Sequence, residues 1–425
     1  MNFTTPTNPA NSANSANTTI SANSANPANP AIPAITAITA GLDLPMPRLP
    51  HAEILRWLRE TDPAALEQLF AQADEVRRTH VGDAVHLRGL IEISNYCVRQ
   101  CHYCGLRAER QTPRYRMNRE EILACAHQSV ELGFGSVVMQ AGEDFGIEAH
   151  WLAEVIRAIK AETPLAITLS LGERLPDELQ LWRQAGADRY LLRFETSDPG
   201  LYAAIHPKRK DAPGAHSSPS DRIDQLKLMR QMGYEIGSGV MAGIPGQSYE
   251  MLARDIELFA ELDLDMIGIG PFLAHPETPL GRPDAPTAGS EQVPSNEWMV
   301  LKTVALTRIV CPQANLPATT ALATINTVDG REHGLESGGN VFMPIVTPSP
   351  YRQMYQIYPG KACIDEDATQ CNGCLRARIA RLGRTVGEGP GGRYTREAPG
   401  PASQPRLAPR WTPQQEQPAL LEVLK

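Results

Sequence analysis

Between residues 42 and 395 the chain alternates short β-branched or apolar runs with longer stretches of helical periodicity. That alternation restricts the fold more than any other feature, because repeated βα units can bury both faces of their strands only in a parallel α/β architecture. Eight strand-like runs can be counted: His86–Ser94, Gly135–Gln140, Ala166–Leu171, Asp188–Phe194, Glu235–Met241, Met266–Gly270, Leu316–Thr320 and Asn340–Met343. Helical patterns lie between them at Asn118–Leu132, where Asn118 and Glu121 stand at capping-box spacing, and at His150–Glu162, Asp221–Met232, Tyr249–Leu262 and Glu297–Ile309. Eight such units predict a TIM-type (βα)8 barrel, closed or nearly so, with its functional site at the strand C-termini. A doubly wound open sheet is the competing architecture, but no GxGxxG follows an early strand.

The flanks differ in kind. Residues 1–41 repeat Asn, Ser, Ala, Pro and Thr without a single charge, and residues 396–425 are Pro-rich. Neither composition buries enough apolar surface to offset ordering entropy, so both are expected to be disordered tails around one barrel domain at 42–395. The formal net charge of −8 argues against a chain that coats nucleic acid. No run of eighteen apolar residues and no signal-peptide pattern is present, so a cytoplasmic protein without a membrane association is expected.

Eight cysteines are too sparse for a disulfide scaffold in 425 residues, and six of them fall in two clusters. The first, SNYCVRQCHYCGLR, puts Cys97, Cys101 and Cys104 in a CxxxCxxC loop directly after the first strand. Three thiolates can hold three irons of a cubane and leave the fourth iron open to a small chelating molecule. A zinc site completed by His102 is the bland alternative. The loop resembles that of the radical S-adenosylmethionine (SAM) superfamily, in which the open iron of a 4Fe-4S cluster binds the amino and carboxylate groups of SAM. Gln140, Ala141, Gly142, Glu143 and Asp144 resemble the superfamily's glycine-rich segment beside the methionine ammonium. GIPGQ at Gly243–Gln247 and GIGPF after strand six resemble its later strand-end motifs.

A finer resemblance, over about Val85 to Thr395, is to the HydE family of FeFe-hydrogenase maturases. It is carried by ISNYCVRQCHYCGLR, YRMNREEIL, VVMQAGED, ITLSLGER, DRYLLRFET, GYEIGSGVMAGIPGQ, DMIGIGPFLAHPETPL, LPATTALATI and NVFMPIVTPSPYRQMYQIYPGK. The resemblance implies an enzyme that uses the SAM-derived 5′-deoxyadenosyl radical in assembling the diiron subcluster of hydrogenase. Its substrate would be a small iron-carbonyl-cyanide cysteinate made by a companion maturase, and its electron donor a ferredoxin or flavodoxin. It also implies residue roles: Cys97, Cys101 and Cys104 as the catalytic cluster ligands, and Gln140, Gly142, Glu143, Ser170, Glu195 and Arg222 around SAM. Arg222 would meet the SAM carboxylate, and Glu195 its ammonium and ribose. Thr168, Ser170, Arg193, Met241, Thr319, Thr320, Ala321, Met343 and Tyr355 resemble the lining of the substrate cavity, with Arg193 on an anionic group. Arg193 and Glu195 stand at i and i+2, which on a strand projects both to one face.

Two departures stand out. Phe194 occupies a position where the family string leads one to expect histidine, and the His206–Asp221 connection is longer than expected. The second cluster, Cys363, Cys371 and Cys374 in GKACIDEDATQCNGC, resembles a peripheral auxiliary iron-sulfur site of some family members, with zinc as the alternative. Cys125 and Cys311 read as core residues. Methylornithine synthase, biotin synthase and a noncatalytic iron-sulfur scaffold are the competing functional readings. Biotin synthase would need cysteines inside the barrel, and none lies between Cys125 and Cys311.

Overall fold

The structure, a computed structural model, describes residues 49–207, 219–282, 291–362 and 368–393. The two expected tails and Cys363 lie outside the described residues. Helices α1 (His51–Arg59) and α2 (Pro63–Val81) precede the repeat, which runs β1 (Ala84–Ser94), α3 (Arg119–Glu131), β2 (Ser136–Ala141), α4 (Ala149–Glu162), β3 (Ala166–Ser170), α5 (Pro176–Ala185) and β4 (Arg189–Leu191). It continues through α6 (Pro199–Ile205), α7 (Pro219–Gln231), β5 (Glu235–Ala242), α8 (Tyr249–Glu261), β6 (Met266–Pro271) and α9 (Glu297–Val310). The last part holds α10 (Thr320–Ile325), α11 (Gly330–Glu336), β7 (Val341–Phe342), α12 (Ser349–Met354), α13 (Ala368–Arg381) and β8 (Thr385–Val386). The capping box of α3 forms as its sequence predicts: Glu121 N–H donates to Asn118 Oδ1 at 2.9 Å and Asn118 N–H to Glu121 Oε2 at 2.8 Å.

All described strand pairs are parallel, in the order β6-β5-β4-β3-β2-β1-β7. The expected strand Leu316–Thr320 does not form. Pro317 has no N–H to donate to a ladder, and Thr319 accepts from Leu322 N–H at 3.3 Å, which starts α10 at Thr320. What remains is one stave of extended backbone, bridged to β6 at Met266–Asn315 and to β7 at Pro317–Val341, and it completes the ring. In its place among the strands stands β8, absent from the sequence reading, which pairs with Ala84 and Val85 at the start of β1.

Side-chain alternation sorts the barrel into an outer and an inner face. Ile91, Val137, Ile167, Tyr190, Ile236 and Ile267 pack outward into the continuous core under the helices, where Phe194 also sits, 5.7 Å from the Phe259 ring of α8. Phe194 therefore faces a helix, away from the barrel interior. Inside, Leu90, Val138 and Ile345 form an apolar layer with Met343. Below it, the segment after β8 closes the barrel floor: Gly391 O accepts from Arg88 and Asn315, and Pro390 O from Arg189. Above it, Gly268 and Gly270 of β6 carry no side chain, and a Cβ at Gly268 would find nothing nearer than 3.9 Å. The interior thus opens toward the strand C-termini.

Candidate radical SAM site

β1 hands the chain directly to the cysteine loop, which has no regular structure and is held by its neighbours' backbone. Val98 N–H donates to Glu143 O at 2.9 Å, His102 N–H to Ile205 O at 2.9 Å and Gly105 N–H to Ile357 O at 2.8 Å. Gly142 must be glycine, because an added Cβ would lie 2.2 Å from Tyr96 O and 2.7 Å from Cys97 Cβ. Amides point at the sulfurs: Glu143 N–H donates to Cys97 Sγ at 3.4 Å and Leu106 N–H to Cys104 Sγ at 3.5 Å. All three cysteines keep some accessible surface although protein surrounds them. Burial, followed by the proximity of Cys97, pushes the Cys104 thiol up to about 12, and burial raises Cys97 and Cys101 likewise. Cys97 raises both Cys101 and Cys104, so the thiols are close together, and the opposing pull of Arg99, Arg222 and Arg114 does not offset burial; three enclosed thiolates need more positive charge. An iron-sulfur core supplies that charge and accepts one thiolate per iron, so the residues present fit a cluster held by Cys97, Cys101 and Cys104. The alternative fourth ligand, His102, has its Nδ1 at 2.8 Å from Ala204 O. Among the described residues no three His, Cys, Asp or Glu side chains converge as ligands of a single ion.

Around the loop runs a buried chain of ion pairs. Arg99, between Cys97 and Cys101, binds Glu143 at 2.7 Å and Glu173 at 2.6 Å, and Glu173 binds Arg222 Nε at 2.8 Å. Burial pushes the Glu143 carboxyl up, and Arg99 opposes that shift. The Glu143 side chain is engaged with Arg99 and with Glu173 N–H, so what position 143 offers a ligand is its backbone. Arg222 also donates through Nη1 to Arg193 O, and it stacks 5.6 Å above Tyr202. Its Nη2 has no hydrogen-bond partner among the described residues.

The Arg193–Glu195 expectation needs correction in its reasoning. β4 ends at Leu191, and Glu195 sits at φ +63°, a left-handed conformation rare for a residue with a side chain. Strand alternation therefore does not carry this pair. The two still meet at 3.2 Å, through the bend, beside Glu195's single bridge to Val240. Burial raises the Glu195 carboxyl, and Arg193 Nε has no partner.

The remaining candidates divide into two sets. Gln140, Gly142, Ser170, Arg193, Thr319, Thr320, Ala321 and Met343 retain accessible surface inside the barrel mouth, together with the three cysteines. Thr168, Met241 and Tyr355 are buried. Thr168 Oγ1 has no partner, Met241 packs with Leu201, Ile205 and Ile244 beside Tyr103, and Tyr355 OH accepts from Gln140 at 3.1 Å. At the second cluster, Cys371 is buried in the main core from α13, while Cys374 is exposed, 3.4 Å from Arg378 Nε. Cys125 and Cys311 are buried in the core.

Arg99, Glu173, Glu92 and Lys361 were missed by sequence reasoning. Only Arg99 carried a signal, a charge inside the cysteine spacing. The others become visible through partners far away in the chain.

A barrel whose first strand ends in three enclosed thiols defines a class, and comparison with known proteins agrees: the Radical SAM superfamily model matches residues 91–259, and together with the maturase relative described next it makes the chain a radical SAM enzyme. Within that class it is 44% identical over 328 residues to the [FeFe] hydrogenase maturase subunit HydE of Thermotoga maritima, covering 77% of this chain and 89% of the relative. The chain belongs to the HydE family. The 3-methylornithine synthase of Methanosarcina acetivorans is 28% identical, over 75% of this chain and 83% of its own. Among solved structures, that of methylornithine synthase (PylB) superposes with a TM-score of 0.68 at 24% identity, covering 81% of this chain and 95% of its own, which supports the fold. No helix among the described residues is long and apolar enough to cross a membrane.

Proposed function

We propose that this chain is a maturase of FeFe-hydrogenase that cleaves SAM reductively and uses the 5′-deoxyadenosyl radical in assembling the diiron subcluster, on an iron-carbonyl-cyanide cysteinate precursor. The observation that carries the chemistry is the set of three mutually close, enclosed thiols at the open end of the barrel; the identity to the Thermotoga maritima maturase supports the pathway. When bound, the cluster supplies the electron that cleaves SAM. This chain's own residues bind and orient. Arg222 Nη2 presents a donor to the SAM carboxylate, and the Gly142–Glu143 backbone lies against Cys97, where the ammonium would be received. Glu195, held in its left-handed bend, takes the ammonium or ribose side, while Arg193 Nε and Thr168 Oγ1 are the unpartnered donors offered to the anionic substrate. Gln140, Gly142 and Ser170 complete the SAM side, and Met241, Thr319, Thr320, Ala321, Met343 and Tyr355 the substrate side. The C-terminal cysteines, Cys363 with Cys371 and Cys374, hold a peripheral second iron-sulfur cluster in this reading. A low-potential donor such as ferredoxin or flavodoxin feeds the first cluster in the reducing cytoplasm, and companion maturases supply the precursor and receive the product.

The test is anaerobic reconstitution with iron and sulfide, then SAM and a reductant, with 5′-deoxyadenosine measured by chromatography. Addition to a hydrogenase-activation mixture lacking only this component follows. 5′-Deoxyadenosine without any hydrogenase activation would leave the radical SAM chemistry standing and overturn the maturase reading.

A further inference from the structure

Met354, the last residue of α12, and the segment after it, residues 355–361, which has no regular secondary structure, together touch the cysteine loop at both of its ends. At the loop's entrance, two residues before Cys97, Asn95 Nδ2 donates to Met354 O at 2.9 Å. At its exit, one residue after Cys104, Gly105 N–H donates to Ile357 O at 2.8 Å. The approach is close: a Cβ on Gly105 would stand 2.1 Å from Gln356 O. In between, Tyr355 OH accepts from Gln140 on β2. A strap without its own hydrogen-bond ladder depends on its anchors, and at its far end Ala362 N–H donates to Thr324 Oγ1 at 3.2 Å.

Lys361 is the buried, charged anchor there. Its Nζ forms an ion pair with Glu92 of β1 and reaches Tyr355 O at 3.4 Å, with the Tyr355 ring centroid 5.0 Å away. Glu92 is 0% exposed and Lys361 5%, so neither charge has water as an alternative partner. Glu92 stands only five residues before Cys97, on the strand that launches the loop.

We propose that Lys361 is a positioning residue for the radical cluster. By pairing with Glu92 it anchors the strap 354–361, which clasps the cysteine loop at Asn95 and Gly105 and sets Tyr355 against Gln140. The proposal rests on the radical SAM reading of the same loop. Neither Lys361 nor Glu92 touches SAM or substrate in it.

The experiment uses the full chain, apo and reconstituted, as wild type, K361M and the double variant E92L/K361M. The double variant removes both members of the ion pair and keeps the test open if K361M folds poorly. Hydrogen exchange is followed by mass spectrometry on peptides covering 95–106 and 354–361, with the barrel-floor peptide 385–393 as reference. The expected result in both variants is faster exchange, on the order of tenfold, at the loop and the strap but not at the floor. In the reconstituted variants the electron-spin spectrum of the reduced cluster with SAM should change, and 5′-deoxyadenosine formation at saturating SAM should fall on the order of tenfold. Exchange that is unchanged, or raised equally at the floor, together with a wild-type spectrum in the double variant, overturns the proposal. A wild type that forms no 5′-deoxyadenosine would instead overturn the radical SAM reading on which it rests.

Discussion

The two cysteine clusters of this chain share a CxxC pair and have opposite surroundings. Cys97, Cys101 and Cys104 ride on an irregular loop whose backbone is tied to four neighbouring segments and whose sulfurs lie close together within the protein. Cys371 and Cys374 stand three residues apart on α13, the first buried in the core with Leu375 and Ile379, the second exposed beside Arg378. The loop thiols are close to one another, whereas on α13 the packing of the helix buries one thiol of the pair and leaves the other in solvent. The same residue type at the same spacing is therefore a stronger sign of metal on a strand-end loop than on a packed helix.

The sharpest way to break this contrast is to remove thiols one at a time. Cys97→Ser, Cys101→Ser or Cys104→Ser should each abolish reductive SAM cleavage and the cluster's visible absorption, because a hydroxyl does not hold iron as a thiolate does. 5′-Deoxyadenosine at wild-type rate from any of the three would remove the loop's special status.

Next in size is the support of the loop. Arg99→Met leaves Glu143 and Glu173 buried without their shared cation, which should cost about 3–5 kcal/mol in denaturant unfolding of the apo chain. A loss under about 1 kcal/mol would mean that the network is dispensable and that backbone bonds alone hold the loop.

Arg193→Lys sharpens the comparison by separating substrate from cofactor. It keeps the charge and loses the planar fork, so hydrogenase maturation should weaken by roughly 1–3 kcal/mol in apparent substrate affinity while SAM binding hardly changes. Parallel titrations of SAM and maturation activity decide it, and equal losses would assign Arg193 to SAM or to the fold.

The smallest effect is expected at the exposed end of the second cluster. Cys374→Ser should lower the iron content of reconstituted protein and leave 5′-deoxyadenosine formation within about twofold. Loss of SAM cleavage with a normal first-cluster spectrum would show that the C-terminal cysteines are no periphery.

Read alone, the sequence determined what depends on neighbours in the chain. The βα alternation, the α3 capping box, the CxxxCxxC loop after β1 and the core placement of Cys125 and Cys311 all follow from periodicity or short spacing, which local geometry enforces. Tertiary structure decided what depends on register. It replaced the strand at 316–320 with a single bridged stave, because Pro317 lacks a donor and Thr319 caps a helix. It brought Arg193 to Glu195 through a left-handed bend that strand alternation does not foresee. Arg99 met Glu143, 44 residues on, and Lys361 met Glu92 across 269 residues. Buried charges are drawn together by the absence of water around them, and which charges lose their water is known only once the barrel has closed.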